Sequence, residues 1–199
     1  MKRENKFLLL FILLFLISCK NDLISNEEDL IKHIKDEENG FSITKEINGF
    51  RINSIYKPTD LMVLNETSDE ANNNVSKIDS LKLKYKENLY FILSYSRDGK
   101  ELLSTITESR EKFNSVQNIL TFDMMNRVSL TNQNNDTIPL VDYNFPRTYG
   151  MSRSTNAIFV FKRNQVLEES EELIFKVKDI GIGIGDINFK YSADLIKNN

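Results

Sequence analysis

Leu89-Tyr90-Phe91-Ile92-Leu93-Ser94-Tyr95 is a near-continuous apolar run with several aromatics. It is too short for a buried helix and rich in the aromatic and β-branched types that suit a pleated surface, so it reads as a strand. It has almost no polar face, and the expectation is a central strand buried on both sides. Just downstream, Arg97-Asp98-Gly99-Lys100 carries an Asp-Gly pair. That pair favours a two-residue hairpin turn, because both central positions need a positive φ.

Strand signals continue on either side. Phe50, Ile52 and either Ser54 or Tyr56 alternate with Arg51, Asn53 and Ile55, which predicts a half-buried strand ended by Pro58. Leu61 to Leu64 is apolar but too short to assign, and Thr67 to Lys77 is a polar loop. Leu81, Leu83 and Tyr85 alternate with Lys82, Lys84 and Lys86, so a strand competes there with a helix through Val75, Ile78 and Leu81. Thr107 to Ile119 is the best helix in the domain, with Phe113, Val116, Ile119 and Leu120 on one side and Glu108, Arg110, Glu111 and Lys112 on the other. The period then changes to two at Leu120, Phe122 and Met124, predicting a strand that continues through Val128 and Leu130. Asn132 to Asp136 is a turn, and Ile138 to Tyr143 is expected to return as the partner strand, with Pro139 marking an edge. Ala157–Phe161, Leu173–Val177 and Ile187–Tyr191 complete the set, with Val166 to Glu172 an acidic connection. Short strands joined by polar turns imply a mainly β or α+β fold: an antiparallel β-sandwich with one or two packed helices.

From about Leu120, the order strand, turn, strand, then Phe159-Val160-Phe161 and two more strands loosely resembles the immunoglobulin-like modules of bacterial lipoproteins. The resemblance has no Cys…Trp…Cys pattern behind it. It implies a sandwich and no particular activity.

The N-terminal residues carry the sharpest motif. Lys2, Arg3 and Lys6 precede an apolar run from Phe7 to Ile17, which ends in Leu16-Ile17-Ser18-Cys19. A basic start, a short apolar run and a small residue before the cut are the parts of a secretory signal peptide. The run is shorter than the roughly 20 apolar residues needed to span a bilayer core. Leu16 to Cys19 resembles the lipobox of bacterial lipoproteins, which implies cleavage before Cys19 and acylation of its thiol and new amine. Two or three acyl chains make anchoring stable, at about 0.8 kcal/mol per buried methylene. Lys20 in place of Asp lacks the inner-membrane retention signal of proteobacterial lipoproteins, and the acids from Asp22 to Asp29 partly resemble surface-export signals of Bacteroidota lipoproteins. The resemblance implies an outer-membrane protein. The expected divisions are a signal peptide (1–18), a lipidated tether with a short helix over Leu30, Ile31 and Ile34 and a stop at Gly40 (19–40), and one β-rich domain (41–199).

Composition narrows the chemistry. Residues 1–18 hold three of the 26 basic and one of the 29 acidic side chains, so the mature chain carries a net charge of about −5. There is no clustered basic patch for nucleic acid. Cys19 is the sole cysteine and His33, on the tether helix, the sole histidine. This excludes Ser-His-Asp and Cys-His sites within the domain and zinc sites of the Cys/His type. No cofactor motif is legible. Gly181-Ile182-Gly183-Ile184-Gly185 is not followed by a helix that could hold a phosphate. It reads instead as a strand or bend where another backbone approaches, with Ile180, Ile182 and Ile184 on one side. Asn132, Asn134, Asn135 and Asp136 offer too little charge for calcium. A carboxylate-dependent hydrolase of envelope polysaccharide stays open through Asp123, Asp136, Asp142, Asp179 and Asp186, none of which the spacing pairs.

One loop concentrates contact-type residues. Tyr143, Phe145, Arg147, Tyr149 and Arg153 crowd around Pro146 and Gly150. Aromatics and Arg are enriched at binding hot spots. The loop is the best candidate surface for a protein or glycan partner, with a plug for the end of the sandwich as the alternative. The expectation is a non-catalytic, membrane-anchored binding or scaffolding module. The hydrolase and a structural subunit of an envelope complex are the alternatives.

Overall fold

A computed structural model describes residues 27–67 and 75–199. The expected signal peptide (1–18), Cys19 and the Lys20–Asp22 stretch lie outside the described residues. In chain order the elements are α1 (Glu27–Lys35), β1 (Ser42–Ile47), β2 (Phe50–Lys57), α2 (Thr59–Thr67), α3 (Val75–Lys86), β3 (Asn88–Arg97) and β4 (Lys100–Glu101). There follow α4 (Leu102–Thr105), α5 (Arg110–Asn118), a π-helical stretch (Ile119–Asp123), α6 (Met124–Arg127), β5 (Val128–Asn132), β6 (Thr137–Ile138) and β7 (Leu140–Asn144). The last are β8 (Thr155–Lys162), α7 (Gln165–Glu168), β9 (Glu172–Val177), β10 (Ile187–Ser192) and α8 (Ala193–Lys197).

The strands form two packed antiparallel sheets, in the α+β sandwich arrangement expected. The larger has the order β1-β2-β3-β8-β7 with β4 paired to β3, and the smaller the order β10-β9-β5-β6. β3 is central, as its composition predicts, but only one of its faces is dry. Leu89, Phe91, Leu93 and Tyr95 are fully buried, while Tyr90, Ile92 and Ser94 are half-covered. The Asp98-Gly99 turn has positive φ at both residues and sets Arg97 opposite Lys100. Between the sheets the Phe175 ring stacks on Phe91 at 5.3 Å and meets Phe159 at 5.6 Å, Phe161 at 6.0 Å and Phe189 at 6.2 Å. Aromatic pairs at such distances add about 0.5–1.5 kcal/mol beyond area burial. Tyr191 Oη donates to Ser54 Oγ at 2.7 Å, a buried polar tie between the two sheets.

Pro139 is where the chain changes sheets. Thr137 and Ile138 pair with β5, whereas Leu140 to Asn144 pair with β8 as the edge of the larger sheet. Proline has no N–H for a ladder, and its carbonyl accepts from Lys162 N–H at 2.9 Å. The expectation that Ile138–Tyr143 is one strand returning along Val128–Leu130 is therefore corrected to two strands in two sheets. The immunoglobulin-like stretch is not a closed unit either, since β8 sits between β7 and β3.

Two period-two readings give way to helices. Leu120 and Met124 continue the ridge begun by Val116, with all three buried, while Phe122 is 78% exposed. Leu81 and Tyr85 likewise face inward from α3, where they join Val63 of α2, and Leu83 is 71% exposed. Spacing of four is the helical period. The expected tether helix is α1, whose Leu30 and Ile34 belong to the main core cluster. Gly40 stops the 3₁₀ turn that follows it, at φ 77°. The bend from Ile180 to Ile184 buries its three isoleucines, and its glycines have φ of 84°, 80° and 67°. A Cβ at any of these glycines would meet nothing within 4 Å. Left-handed backbone, and not close approach of another chain segment, accounts for them.

Candidate binding cleft

Three pieces of chain meet at one end of the larger sheet. β4 delivers Glu101 and runs directly into α4. α5 begins at Ser109, whose Oγ accepts from Lys112 N–H at 3.0 Å, a helix N-cap. From α5, Phe113 and Gln117 project one turn apart on the same face. The segment after β7 then closes over them. Its Tyr149 and Gly150 have φ of 51° and 82°, and Met151 N–H donates to Thr148 O at 3.0 Å, making a tight turn.

Together they bound a cleft of about 420 Å³. Leu103, Phe113, Phe145 and Pro146 give it apolar walls, and Thr155 of β8 contributes to its lining. Glu101 is only 6% exposed. Its Oε2 accepts from Gly150 N–H, tying hairpin to loop. Its Oε1 is buried and has no partner among the described residues. Such an atom is costly to leave unpaired, because desolvation is not offset. At the rim, Arg147 donates to Thr121 Oγ1 at 3.2 Å, and the Tyr149 side of the turn is 82% exposed.

Of the residues expected to form a contact surface, Phe145, Arg147 and Tyr149 line this cleft. Tyr143 does not. Its hydroxyl donates to Leu120 O, its ring packs 4.9 Å from Phe159, and burial pushes its phenol pKa up. Arg153 is exposed and outside the lining. Glu101, Phe113 and Gln117 were not singled out by the sequence as site residues. Phe113 had its signal in the apolar side of α5. Glu101 had none, since the loop that covers it lies 49 residues away.

The other acids are held elsewhere. Asp123 accepts from Asn126 Nδ2 at 3.0 Å and Arg127 Nε at 2.7 Å, and these bonds hold its carboxyl below the usual range. Asn132 Oδ1 accepts from Asn134 N–H and Asp136 N–H, and Asn132 Nδ2 donates to Asp136 Oδ2, so the turn uses its own polar atoms. Asp142 caps Tyr143 N–H at 2.8 Å. Asp186 accepts from Asp179 N–H at 2.9 Å and Asp179 from Gly181 N–H at 3.1 Å, so both acids bind the backbone of the glycine bend. Among the described residues the cleft holds a single carboxylate, Glu101. His33 rests edge-on against Phe41 at 5.6 Å.

No family model and no curated protein matches the chain. Among solved structures it is similar to a DUF4426 family protein from Pseudomonas aeruginosa PAO1, at 10% identity and a TM-score of 0.38 over 76% of this chain and 91% of that one. It is also similar to a novel protein of unknown function from Burkholderia pseudomallei K96243, at 10% identity and a TM-score of 0.38 over 92% of this chain and 97% of that one. The two-sheet arrangement rests on the strand pairing itself.

Proposed function

We propose that this chain is a non-catalytic binding module of the bacterial envelope, held to the outer membrane by acylated Cys19, with its ligand site in the cleft beneath the Phe145–Gly150 loop. The observation that supports binding is the cleft itself. Apolar walls with a few polar groups, one of them buried and unsatisfied, are what a small-ligand site requires, and its volume falls in the usual range of about 300–1,000 Å³. A single carboxylate does not favour glycoside hydrolysis, which ordinarily needs two placed acids.

The test is a filled cleft. Ser104 is exposed at the lining, so Ser104→Trp adds bulk there without opening the core. A fragment library screened by ligand-observed NMR is expected to give hits that bind the wild type and lose binding in Ser104→Trp. A set of hits indifferent to the substitution would reject the site. The anchor rests on Leu16-Ile17-Ser18-Cys19. Wild-type protein is expected to enter the detergent phase of a cloud-point partition and to carry acyl mass on its N-terminal peptide. Cys19→Ser is expected in the aqueous phase, and unchanged partition would remove the anchor from the proposal.

A further inference from the structure

We infer that the cleft takes a small organic amine, whose ammonium group donates to Glu101 Oε1 while its apolar body lies on Phe113 and Phe145. This rests on the binding reading above and names the chemistry of that site.

The argument starts from the unpartnered oxygen. Glu101 is more than nine-tenths buried and lines the cleft, and Oε1 is without a hydrogen-bond partner among the described residues. An ionised carboxylate is an acceptor only, so the missing group is a donor. Oε2 is already committed to the Gly150 N–H, which leaves Oε1 as the unpaired acceptor of this side chain. No ion pair to Glu101 occurs among the described residues, and Arg147 turns its guanidinium to Thr121 instead. The site therefore holds a buried acceptor that lacks a donor among the described residues. A cationic donor makes the stronger bond, since charge-assisted hydrogen bonds are about twice as strong as neutral ones. An anionic ligand would meet like charge in a place where water cannot screen it.

The rest of the lining sets the body of the ligand. Phe113, Phe145, Leu103 and Pro146 present apolar surface, and Tyr149 stands at the rim. Aromatic faces also attract an ammonium group, through the negative face of the ring quadrupole. Arg147 opposes a cation, but it is exposed, and at physiological salt such a charge is screened over about 8 Å. A volume of about 420 Å³ suits a small molecule and not a folded partner.

The test uses the full mature chain, carrying Cys19→Ser to keep it in solution and labelled with ¹⁵N. Three probes share one ring and differ in the head group: phenethylamine, 2-phenylethanol and phenylacetate. Phenethylamine is expected to shift the amides of Glu101, Leu103 and Gly150 saturably, with a Kd at least ten-fold below the other two. Glu101→Gln is expected to remove that preference, so that phenethylamine binds no more tightly than 2-phenylethanol. Phe113→Ala keeps the Glu101–Gly150 bond, so it is expected to weaken all three probes while the amine still binds best. It also serves if Glu101→Gln proves unstable. Equal or tighter binding of the alcohol or the acid at the same amides would overturn the amine assignment and leave the cleft as a site. Glu101→Gln that binds phenethylamine like the wild type would overturn it as well. If no probe moves these amides, the amine assignment and the cleft reading fall together.

Discussion

Glu101 does two jobs with two oxygens, and they can be separated by substitution. Oε2 holds the Gly150 N–H, so Glu101→Ala removes a charge-assisted bond from a buried position and detaches the 145–150 loop from β4. The expected loss is about 2 kcal/mol in urea unfolding, with Glu101→Gln closer to the wild type because an amide oxygen still accepts. Equal losses from both would mean that charge, not the bond, sets the contribution. Asp123 gives a second residue-scale expectation, in pH. Asn126 and Arg127 lower its carboxyl pKa in the folded chain. A group depressed on folding adds stability that is complete above its unfolded value, about 3.9, and that is lost as pH falls through the folded value. Its contribution is therefore constant from neutral pH down to about that value and fades only below it. Arg127→Ala is expected to raise the Asp123 midpoint in a ¹³C carboxyl titration, and an unmoved midpoint would show that the ion pair at 2.7 Å is not formed in solution.

At the scale of elements, α5 positions Phe113 and Gln117, and its start depends on Ser109. Ser109→Ala removes the acceptor of Lys112 N–H and is expected to cost about 1 kcal/mol in thermal or urea unfolding. No change would mean the helix start is held by packing alone. The glycine bend is a further case. Its positive φ values and open Cβ directions predict that Gly183→Ala costs about 1–2 kcal/mol, the strain of a left-handed residue. A loss of several kcal/mol would indicate the close backbone approach that the sequence suggested. Strands were legible wherever one face is dry, as at Phe50–Tyr56, Ala157–Phe161, Leu173–Val177 and Ile187–Tyr191, because alternation follows directly from burial on one side. It competed with the helix at Leu81–Tyr85 without deciding between them, and it misled at Leu120–Met124. Each pair of buried residues four apart has an exposed large apolar residue midway, Leu83 or Phe122, and that residue counterfeits a period of two. The cleft was half legible for a related reason. Phe145, Arg147 and Tyr149 lie in one loop, while Glu101 and Phe113 are brought to them only by the fold.

At the scale of the whole molecule, the question is where the folded unit begins. Phe41 is the natural start by pattern, since the strands follow it and the stretch before it is charged. The core extends further back. Leu30 and Ile34 of α1 lie in the same cluster as Phe41, Tyr56 and Phe91, and their narrow stripe was legible while its docking was not. Burial of two aliphatic side chains is worth about 1.5–3 kcal/mol each, a large share of a total near 5–15 kcal/mol. Ile34→Ala is therefore expected to lose about 2–4 kcal/mol in urea unfolding, and a chain begun at Phe41 to lose at least as much against one begun at Asn26. Equal midpoints for the two chains would return α1 to the role of a spacer. The outcome bears on the proposed anchor. With α1 docked from Glu27, residues 20–26 alone separate Cys19 from the folded unit, and seven residues reach at most about 25 Å. A lipid-held Cys19 would then keep the whole unit close against the bilayer, whereas a free α1 would let the cleft range well beyond it.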